Sequence, residues 1–343
     1  MNSETLNRDI KAVFSAENLG ELERWLDAAW KAKQANFGNK IRFYAPSFTH
    51  YKTKQFCGSS TDFPTISVTG KGCALKCKHC GGLVLETMHP ATTSKELFDL
   101  CVELKGKGAS GCLISGGCQP DGSVPLGKFA EAIARIKREL GLMVFVHTGI
   151  IDLGTATVLK NAGVDAALID VIGSDATIRE VYNMKITVDS YAESLRILHE
   201  VGMVFVPHVI VGLHHGVLKE EIRALKIIAR YSPSALVIIA FMPIYGTEMQ
   251  YTKPPSPLDI AKVMVAARLM FPKTPLVLGC MRPKGAYRKE TDMLAIRAGV
   301  NAIAFPAEEA IELAGEKKCK CSFSSSCCAQ IYFDASSLAV PSV

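Results

Sequence analysis

Three cysteines occupy one short run of the chain, Gly72-Cys73-Ala-Leu-Lys-Cys77-Lys-His-Cys80-Gly81-Gly82. Gaps of three and two residues let a loop curl so that three thiolates point at three corners of one cubic cluster. Ferredoxin-type carriers normally fill all four positions with cysteine, and structural zinc sites usually combine two C-x-x-C pairs or a Cys/His mixture. We therefore interpret Cys73, Cys77 and Cys80 as the catalytic and metal-binding residues of a [4Fe–4S] cluster whose fourth iron is open.

Two other interpretations of these cysteines stay open at this point. The chain has 12 cysteines, so the run could be a chance group of buried free thiols, or it could bind zinc. His79 lies between two of the three cysteines, and we expect it to be badly placed for a fourth ligand.

The composition narrows the function class. Charged residues make up 21% of the 343 residues and the net charge is +6 without a long basic block, so a nucleic-acid partner is not indicated. The N-terminus lacks an apolar signal core, and no stretch approaches the roughly 20 apolar residues of a membrane-spanning helix. We expect no membrane association and a cytoplasmic location. In that reducing compartment the cysteines are expected to be metal ligands and buried thiols instead of disulfides.

From residue 66 onward, short β-branched runs alternate with amphipathic segments of helical length, which is typical of βαβ units on a parallel sheet. The predicted strands are 66–70, 111–115, 144–147, 167–171, 205–211, 236–241, 276–279 and 302–305. The predicted helices are 94–107, 126–140, 154–162, 187–201, 218–231, 257–272, 289–298 and 306–317. Eight of each favour an α/β fold, a closed (β/α)8 TIM-type barrel.

Two segments flank the barrel, which we place over residues 61–318. Residues 1–60 are expected to form an N-terminal helical and aromatic extension, with a helix over 21–35 covering one end of the barrel. Residues 319–343 are expected to form a Cys-rich C-terminal tail, long enough to fold back over the barrel mouth.

Chemistry on a TIM-type barrel collects at the C-terminal ends of the strands. The residues that we expect to bind a cofactor there are Ser115, Gly116, Gly117, His147, Asp170 and His208. The glycines would let backbone carbonyls approach an ammonium group, although a plain turn is the alternative. Asp170 would need a donor such as a ribose hydroxyl, because a buried unpaired carboxylate is costly; a salt bridge is the alternative. Either histidine could instead be a hydrogen-bonded core residue.

Further cysteines lie near other strand ends and in the tail. Cys118, Cys280, Cys327 and Cys328 could bind a second cluster, with Arg282 or a serine of 324–326 as an extra ligand. Cys57, Cys319 and Cys321 are alternates, whereas Cys101 and Cys112 are expected to be buried free thiols. The competing interpretation makes all the tail cysteines bystanders.

The C-x-x-x-C-x-x-C run after a predicted strand resembles the signature of the radical S-adenosylmethionine (SAM) superfamily. Over residues 60–335 the chain resembles the biotin synthase branch, and more closely the archaeal-type paired lipoate synthases. The sequence segments that support this resemblance are Ser67-Val-Thr-Gly-Lys-Gly-Cys73, Cys80-Gly-Gly, Gly111-Cys-Leu-Ile-Ser-Gly-Gly-Cys118, His147-Thr-Gly149, Asp170-Val-Ile-Gly-Ser-Asp175, Leu278-Gly-Cys-Met-Arg-Pro283 and Cys327-Cys328. The chain departs from its relatives at Cys118, where an acid is common, and it lacks the C-x-x-x-x-C-x-x-x-x-x-C motif of bacterial-type lipoate synthases.

The resemblance implies that the open iron binds S-adenosyl-L-methionine and that the reduced cluster releases a 5′-deoxyadenosyl radical. It further implies sulfur insertion at unactivated C–H bonds, with a second, auxiliary [4Fe–4S] cluster as the sulfur source. The implied partners are an octanoylated lipoyl carrier protein, a second radical SAM subunit that installs the other sulfur, and a reductant such as ferredoxin. One alternative is a single-cluster enzyme for biotin synthase-like chemistry, isomerisation or cofactor assembly. Another is a non-catalytic iron–sulfur scaffold or electron-transfer protein.

Overall fold

A computed structural model describes residues 3–334 of the chain. Within this range eleven strands form one parallel sheet in the order β11-β1-β10-β9-β8-β7-β6-β5-β4-β2-β3. The strands are β1 Lys40–Tyr44, β2 Thr65–Ser67, β3 His89–Pro90, β4 Gly111–Ser115, β5 Met143–His147, β6 Ala166–Asp170, β7 Phe205–Val211, β8 Leu236–Ala240, β9 Leu276–Leu278, β10 Ala302–Ala304 and β11 Lys320–Ser324.

The helices surround this curled sheet. They are α1 Ser3–Ser15, α2 Leu19–Phe37, α3 Ser94–Gly106, α4 Ala130–Arg135, α5 Leu153–Asn161, α6 Asp175–Glu180, α7 Val188–Glu200, α8 Glu221–Ile228, α9 Pro257–Met270, α10 Ala286–Arg297, α11 Glu308–Glu316 and α12 Ile331–Asp334. Shorter helical turns cover Leu83–Thr87, Leu126–Phe129, Ile136–Leu140 and Cys328–Gln330. Over residues 3–334 every helix is too short or too polar to cross a bilayer.

The predicted TIM-type barrel fold is confirmed, with a helical N-terminal extension and a Cys-rich C-terminus. Strands β2 and β4 to β10 coincide with the eight predicted strands, and helical segments occupy all eight predicted helix positions. The expected closed ring differs in one respect. The hydrogen-bonded order of the described strands ends at β3 on one side and β11 on the other, because β1, and not β2, pairs with β10.

The N-terminal extension adds α1 and α2 to the outer layer of helices and β1 to the sheet. The side chain of Asn18 caps α2 by accepting a hydrogen bond of 3.1 Å from the Glu21 amide, and α2 ends at Phe37, three residues before β1. Helix α2 packs against α9 and α10, which lie between successive strands of the barrel. The expectation that this helix covers a barrel end was therefore wrong, since the parallel β1–β10 pairing places it among the outer helices.

The C-terminal tail enters the barrel. Strand β11 pairs with β1, and the chain then turns inward, so that Cys327 and Cys328 are buried. Inward-facing side chains of six strands pack around them, among them Phe145, Leu168, Val206, Val237, Val277, Ala302 and Ala304. The expected position over the mouth was therefore wrong for the described part of the tail, because Cys327 and Cys328 pack among the inward side chains of the strands. The rest of the predicted tail, 335–343, lies outside the described residues.

Two polar contacts anchor the end of this tail. The Tyr332 hydroxyl donates a hydrogen bond of 3.2 Å to the carbonyl oxygen of Asp165, just before β6 begins. The carboxylate of Asp334 accepts a hydrogen bond of 2.6 Å from Tyr44 and lies 3.0 Å from Nε of Arg42. The tail therefore spans the interior from the end of β11 to the N-terminal side of the sheet.

Candidate active site

The cysteine loop follows β2 and lines a cavity with a volume of about 390 Å³. The amide of Gly81 donates a hydrogen bond of 2.7 Å to the carbonyl of Cys77, which coils the loop back on itself. Cys73, Cys77 and Cys80 all line the cavity. The ligand atoms of Cys77, His79 and Cys80 lie within 4.8 Å of one another. The structure thus brings the three predicted cysteines to one cavity, with His79 beside two of them; that His79 is badly placed for a fourth ligand stays a prediction.

Two of these thiols share a proton. The hydrogen bond from Cys77 lowers the pKa of the Cys80 thiol to about 4, and the neighbouring His79 acts in the same direction. That hydrogen bond, together with burial, raises the pKa of Cys77. Because the thiolate is the form that binds metal, one ligand of the loop is already deprotonated at neutral pH.

The segment after β4 forms the back wall of the cysteine loop. A Cβ atom on Gly117 would lie 1.9 Å from the carbonyl oxygen of Gly72, and the Gly117 amide donates a hydrogen bond of 2.6 Å to Oγ1 of Thr69. The carbonyl of Cys118 accepts a hydrogen bond of 2.8 Å from Ala74. These glycines are therefore needed for close packing; their predicted contact with a bound ammonium group stays a prediction.

Ser115 and Cys118 flank these glycines and also line the cavity. The Ser115 hydroxyl donates to the carbonyl oxygen of His147 at 3.1 Å, which joins the ends of β4 and β5. Burial, followed by the charge of Cys73, raises the pKa of Cys118 to about 12. Cys118 thus lies beside the cysteine loop and not beside the tail cysteines with which we grouped it.

The segment after α6 contributes two tyrosines that sequence reasoning missed. Tyr182 and Tyr191 line the cavity, and burial raises the pKa of both phenols. The Cys77 thiol donates to the carbonyl of Tyr182 at 3.7 Å, and the Tyr182 ring lies 5.1 Å from that of His79. Their types and spacing carry no metal or acid–base signal, so only the fold identifies them.

Three of the predicted polar residues form a cluster at the ends of β5, β6 and β7. His147, Asp170 and His208 each offer a ligand atom, and these atoms lie within 4.8 Å of one another. His147 and Asp170 line the cavity, whereas the ring of His208 is buried next to them. Burial opposes protonation of His147, but the charge of Asp170 and its interaction with the imidazole N–H together outweigh burial and raise the His147 pKa. Burial lowers the pKa of His208 to about 4.

A second group of thiols lies inside the barrel. Burial, and then the charge of Cys327, raises the pKa of Cys280 to about 11. A hydrogen bond to Cys327, with burial, raises the pKa of Cys328, to which Cys280 also contributes. Cys280, Cys327 and Cys328 are therefore neighbours within the apolar interior. The alternates are elsewhere: Cys57 and Cys321 are exposed, and Cys319 lies near Lys33 of α2.

Arg282 has a structural role instead of the suggested ligand role. Its guanidinium forms a bidentate ion pair with Asp292 at 2.7 and 2.8 Å, and both side chains are fully buried. It also donates to the carbonyls of Gly279 and Phe305 at 2.7 and 3.1 Å. With these four bonds the guanidinium joins the ends of β9 and β10 to α10, so it is not free to bind a metal.

The cavity suits an iron–sulfur cluster together with a small polar molecule. Its walls combine the thiols with apolar side chains that include Leu85, Ile239, Phe241, Met242 and Met281. Buried atoms without a hydrogen-bond partner include Nδ1 of His79 and Oδ1 of Asp170, next to the cavity. Soft thiolates select iron–sulfur clusters, and unsatisfied buried polar atoms indicate a missing partner.

Residues 67–226 match the sequence profile of the Radical SAM superfamily. This match supports a radical SAM enzyme, a class that uses a [4Fe–4S] cluster and S-adenosyl-L-methionine. Relatives named 3-methylornithine synthase and biotin synthase support a biotin synthase-related branch of that class.

The branch is indicated by relatives at low sequence identity. A 3-methylornithine synthase from Methanosarcina barkeri is 22% identical over 267 residues, covering 78% of this chain and 71% of the relative. A biotin synthase from Hyphomonas neptunium is 27% identical over 252 residues, covering 69% and 75%. The crystal structure of a methylornithine synthase has a TM-score of 0.65 at 18% identity, covering 97% of this chain and 96% of that one, which shows the shared fold.

Proposed function

We propose that this enzyme inserts sulfur at unactivated C–H bonds of an octanoyl chain carried by a lipoyl carrier protein, forming a lipoyl group. The observation that carries the proposal is the group of three buried thiols, Cys280, Cys327 and Cys328, below an apolar cavity lined by the cysteine loop. An apolar cavity suits an acyl chain and excludes water, and a second thiolate group suits a sulfur source.

In this proposal each group of residues has a separate role. Cys73, Cys77 and Cys80 hold the first cluster, and the glycines after β4 fix their loop. When bound, the reduced cluster with S-adenosyl-L-methionine supplies a 5′-deoxyadenosyl radical that removes hydrogen from the substrate carbon. Apolar residues such as Phe241 and Met242 exclude water from that carbon. Cys280, Cys327 and Cys328 hold an auxiliary [4Fe–4S] cluster as the sulfur source.

The proposed partners follow from that chemistry. An octanoylated lipoyl carrier protein delivers the chain, a reductant such as ferredoxin supplies electrons, and a second radical SAM subunit installs the other sulfur. The similarity to proteins named biotin synthase supports the assignment to the sulfur-inserting type of radical SAM enzyme.

The test begins with iron and acid-labile sulfide in anaerobically reconstituted protein. With Cys73, Cys77 and Cys80 all changed to alanine, we expect about four irons to remain, as one further [4Fe–4S] cluster requires. Adding Cys280→Ala, Cys327→Ala and Cys328→Ala should remove them. Cys101→Ala is the matched control, because Cys101 is a fully buried thiol on α3. Loss of all iron in the first variant would contradict the proposal.

The activity test uses an octanoyl-lysine peptide of a carrier protein with S-adenosyl-L-methionine and reduced ferredoxin. Mass spectrometry should detect both 5′-deoxyadenosine and a sulfur-containing peptide. Formation of 5′-deoxyadenosine without sulfur transfer would support the second candidate function, a single-cluster radical isomerisation or cofactor-assembly enzyme. One observation favours that candidate: Cys280, Cys327 and Cys328 are not among the residues that line the main cavity.

A further inference from the structure

The cluster of His147, Asp170 and His208 has the arrangement of a metal site. The three residues lie on the adjacent strands β5, β6 and β7, and Asp170 is directly paired with His208 across the β6–β7 ladder. Two residues earlier on the same strands, Phe145, Leu168 and Val206 face the barrel interior. Because side chains alternate along a strand, the polar residues also face inward, one layer nearer the cavity.

The carboxylate of Asp170 lacks the hydrogen bonds that burial requires. Its Oδ1 atom is buried without a hydrogen-bond partner, and Nε2 of His147 lies 3.5 Å away, too far for a normal hydrogen bond. A buried polar atom without a partner costs about 1–3 kcal/mol. Two ligands that are each about 2.1 Å from one tetrahedral ion are separated by about 3.4 Å. The observed separation therefore fits two ligands of a shared ion.

His208 is oriented as metal-binding histidines usually are. Its Nδ1 lies 3.1 Å from the carbonyl oxygen of Val206 and donates a hydrogen bond to it. The proton is therefore on Nδ1, and the lone pair of Nε2 is available to bind a metal ion. A hydrogen bond from the non-ligating ring nitrogen to a backbone carbonyl commonly fixes the tautomer of a metal-binding histidine. The ring is also buried, which holds it in this orientation.

We propose that His147, Asp170 and His208 bind one divalent transition-metal ion, zinc or ferrous iron, in addition to the iron–sulfur chemistry. Two imidazoles and one carboxylate are a donor set that such ions take when coordination positions stay open for other molecules. His147 and Asp170 line the cavity, so the open positions face it. The ion would accept an oxygen or nitrogen donor of a bound substrate and hold the substrate in a defined orientation.

The competing account is that the three side chains form hydrogen bonds with an organic molecule alone. Both accounts satisfy Oδ1 of Asp170, but only one predicts a stoichiometric metal ion that depends on the carboxylate. The decisive comparison is therefore Asp170→Asn, which preserves the shape and hydrogen-bonding capacity of the side chain and removes its charge.

The first experiment measures zinc by elemental analysis in reconstituted full-length protein after loading with zinc and gel filtration. We expect Asp170→Asn and His208→Ala to hold one equivalent less than wild type and to bind at least about 10–100-fold more weakly, the loss that removing even an outer-shell partner causes. His199→Ala is the control, since His199 is exposed on α7. Equal zinc in wild type and Asp170→Asn would overturn the proposal. Circular dichroism verifies folding.

The second experiment separates this site from thiol sites and from the proposed function. Cobalt is titrated into the variant in which Cys73, Cys77, Cys80, Cys280, Cys327 and Cys328 are all alanine, which lacks both proposed cluster sites. We expect visible cobalt bands without thiolate-to-cobalt charge transfer, and their loss on adding Asp170→Asn. Bands that carry thiolate charge transfer, or that survive Asp170→Asn, would overturn the proposal whatever the result for sulfur insertion. If this variant fails to fold, the zinc comparison alone decides.

Discussion

The backbone of Gly117 packs directly against the carbonyl oxygen of Gly72: a Cβ atom at Gly117 would lie 1.9 Å from that oxygen and 2.7 Å from Cα of Cys73. Real Cβ atoms do not approach backbone so closely, so any other residue must move the cysteine loop. The position of the first cluster ligand therefore depends on a residue with no chemistry of its own.

Gly117→Ala tests this dependence. We expect the displaced loop to lower iron per chain after reconstitution, with a matching loss of visible cluster absorbance. Gly106→Ala is the control, since a Cβ there meets no atom within 4 Å and alanine favours the end of α3. Full iron loading of Gly117→Ala would show that the loop can shift without losing the cluster.

The buried Arg282–Asp292 pair should be costly to break. Arg282→Met leaves the Asp292 carboxylate uncompensated, so we expect a loss of about 3–5 kcal/mol in the free energy of unfolding, measured by urea denaturation. The double variant Arg282→Met/Asp292→Leu should lose less, because no buried charge remains. Lys95→Met, which breaks the exposed Lys95–Asp99 pair, should change stability by less than about 1 kcal/mol. Equal losses in the two Arg282 variants would contradict this account.

Stability should depend on pH through Lys33 of α2. Burial lowers the pKa of this lysine from 10.5 to about 8, while its amino group donates to the carbonyl of Gly38. Between these pH values the unfolded chain binds the extra proton, so the free energy of unfolding rises with pH, by about 1.4 kcal/mol per unit at most.

Lys33→Met removes this titration and isolates it from nearby groups. Urea unfolding of the apo chains at several pH values from 8 to 10.5 should show wild type gaining stability relative to the variant as pH rises. Parallel stability curves would mean that Lys33 stays protonated in the folded chain.

The last helix offers a matched pair of apolar residues. Ile331 is fully buried in the barrel interior, whereas Phe333 is 61% exposed. Ile331→Ala should cost about 2–5 kcal/mol of unfolding free energy, because it leaves a cavity between strands. Phe333→Ala should cost much less, although its side chain is larger. Thermal unfolding of both variants distinguishes a tail that belongs to the core from one that lies on the surface.

The eight strands of the β/α repeat, β2 and β4 to β10, could be predicted because each has its own apolar sequence pattern, as in β7 and β8. The additional strands β1 and β11 could not be placed in this way. Strand β1 has buried Ile41 and Phe43, but its neighbours are β10 and β11, far along the chain, and no local pattern encodes that pairing. The expected ring closure and tail position failed for the same reason, since both depend on long-range pairing.

In the candidate site, too, the features that depend on local sequence could be predicted and those that depend on long-range packing could not. Spacing within one loop was enough to bring Cys73, Cys77 and Cys80 to one cavity. Strand-end reasoning also brought His147, Asp170 and His208 together, since neighbouring strands end at the same edge. It failed to separate Cys118 from Cys280, because adjacency around the barrel depends on which strands lie between them. Tyr182 comes from the segment between α6 and α7, whose path the sequence does not reveal, and Tyr191 follows it in the first turn of α7.

The tail inside the barrel bears on how the protein is synthesised. Residues 327–331 complete the interior, and β11 pairs with a strand that begins at Lys40. A ribosome releases these residues after the strands that surround them, so the nascent chain carries a barrel with an unfilled interior and an unpaired edge at β1 until they emerge. Such surfaces favour aggregation and chaperone binding. A chain that stops before residue 320 would hold the complete cysteine loop in a barrel whose interior is unfilled, so completion of the core depends on a segment that is synthesised long after the cysteine loop.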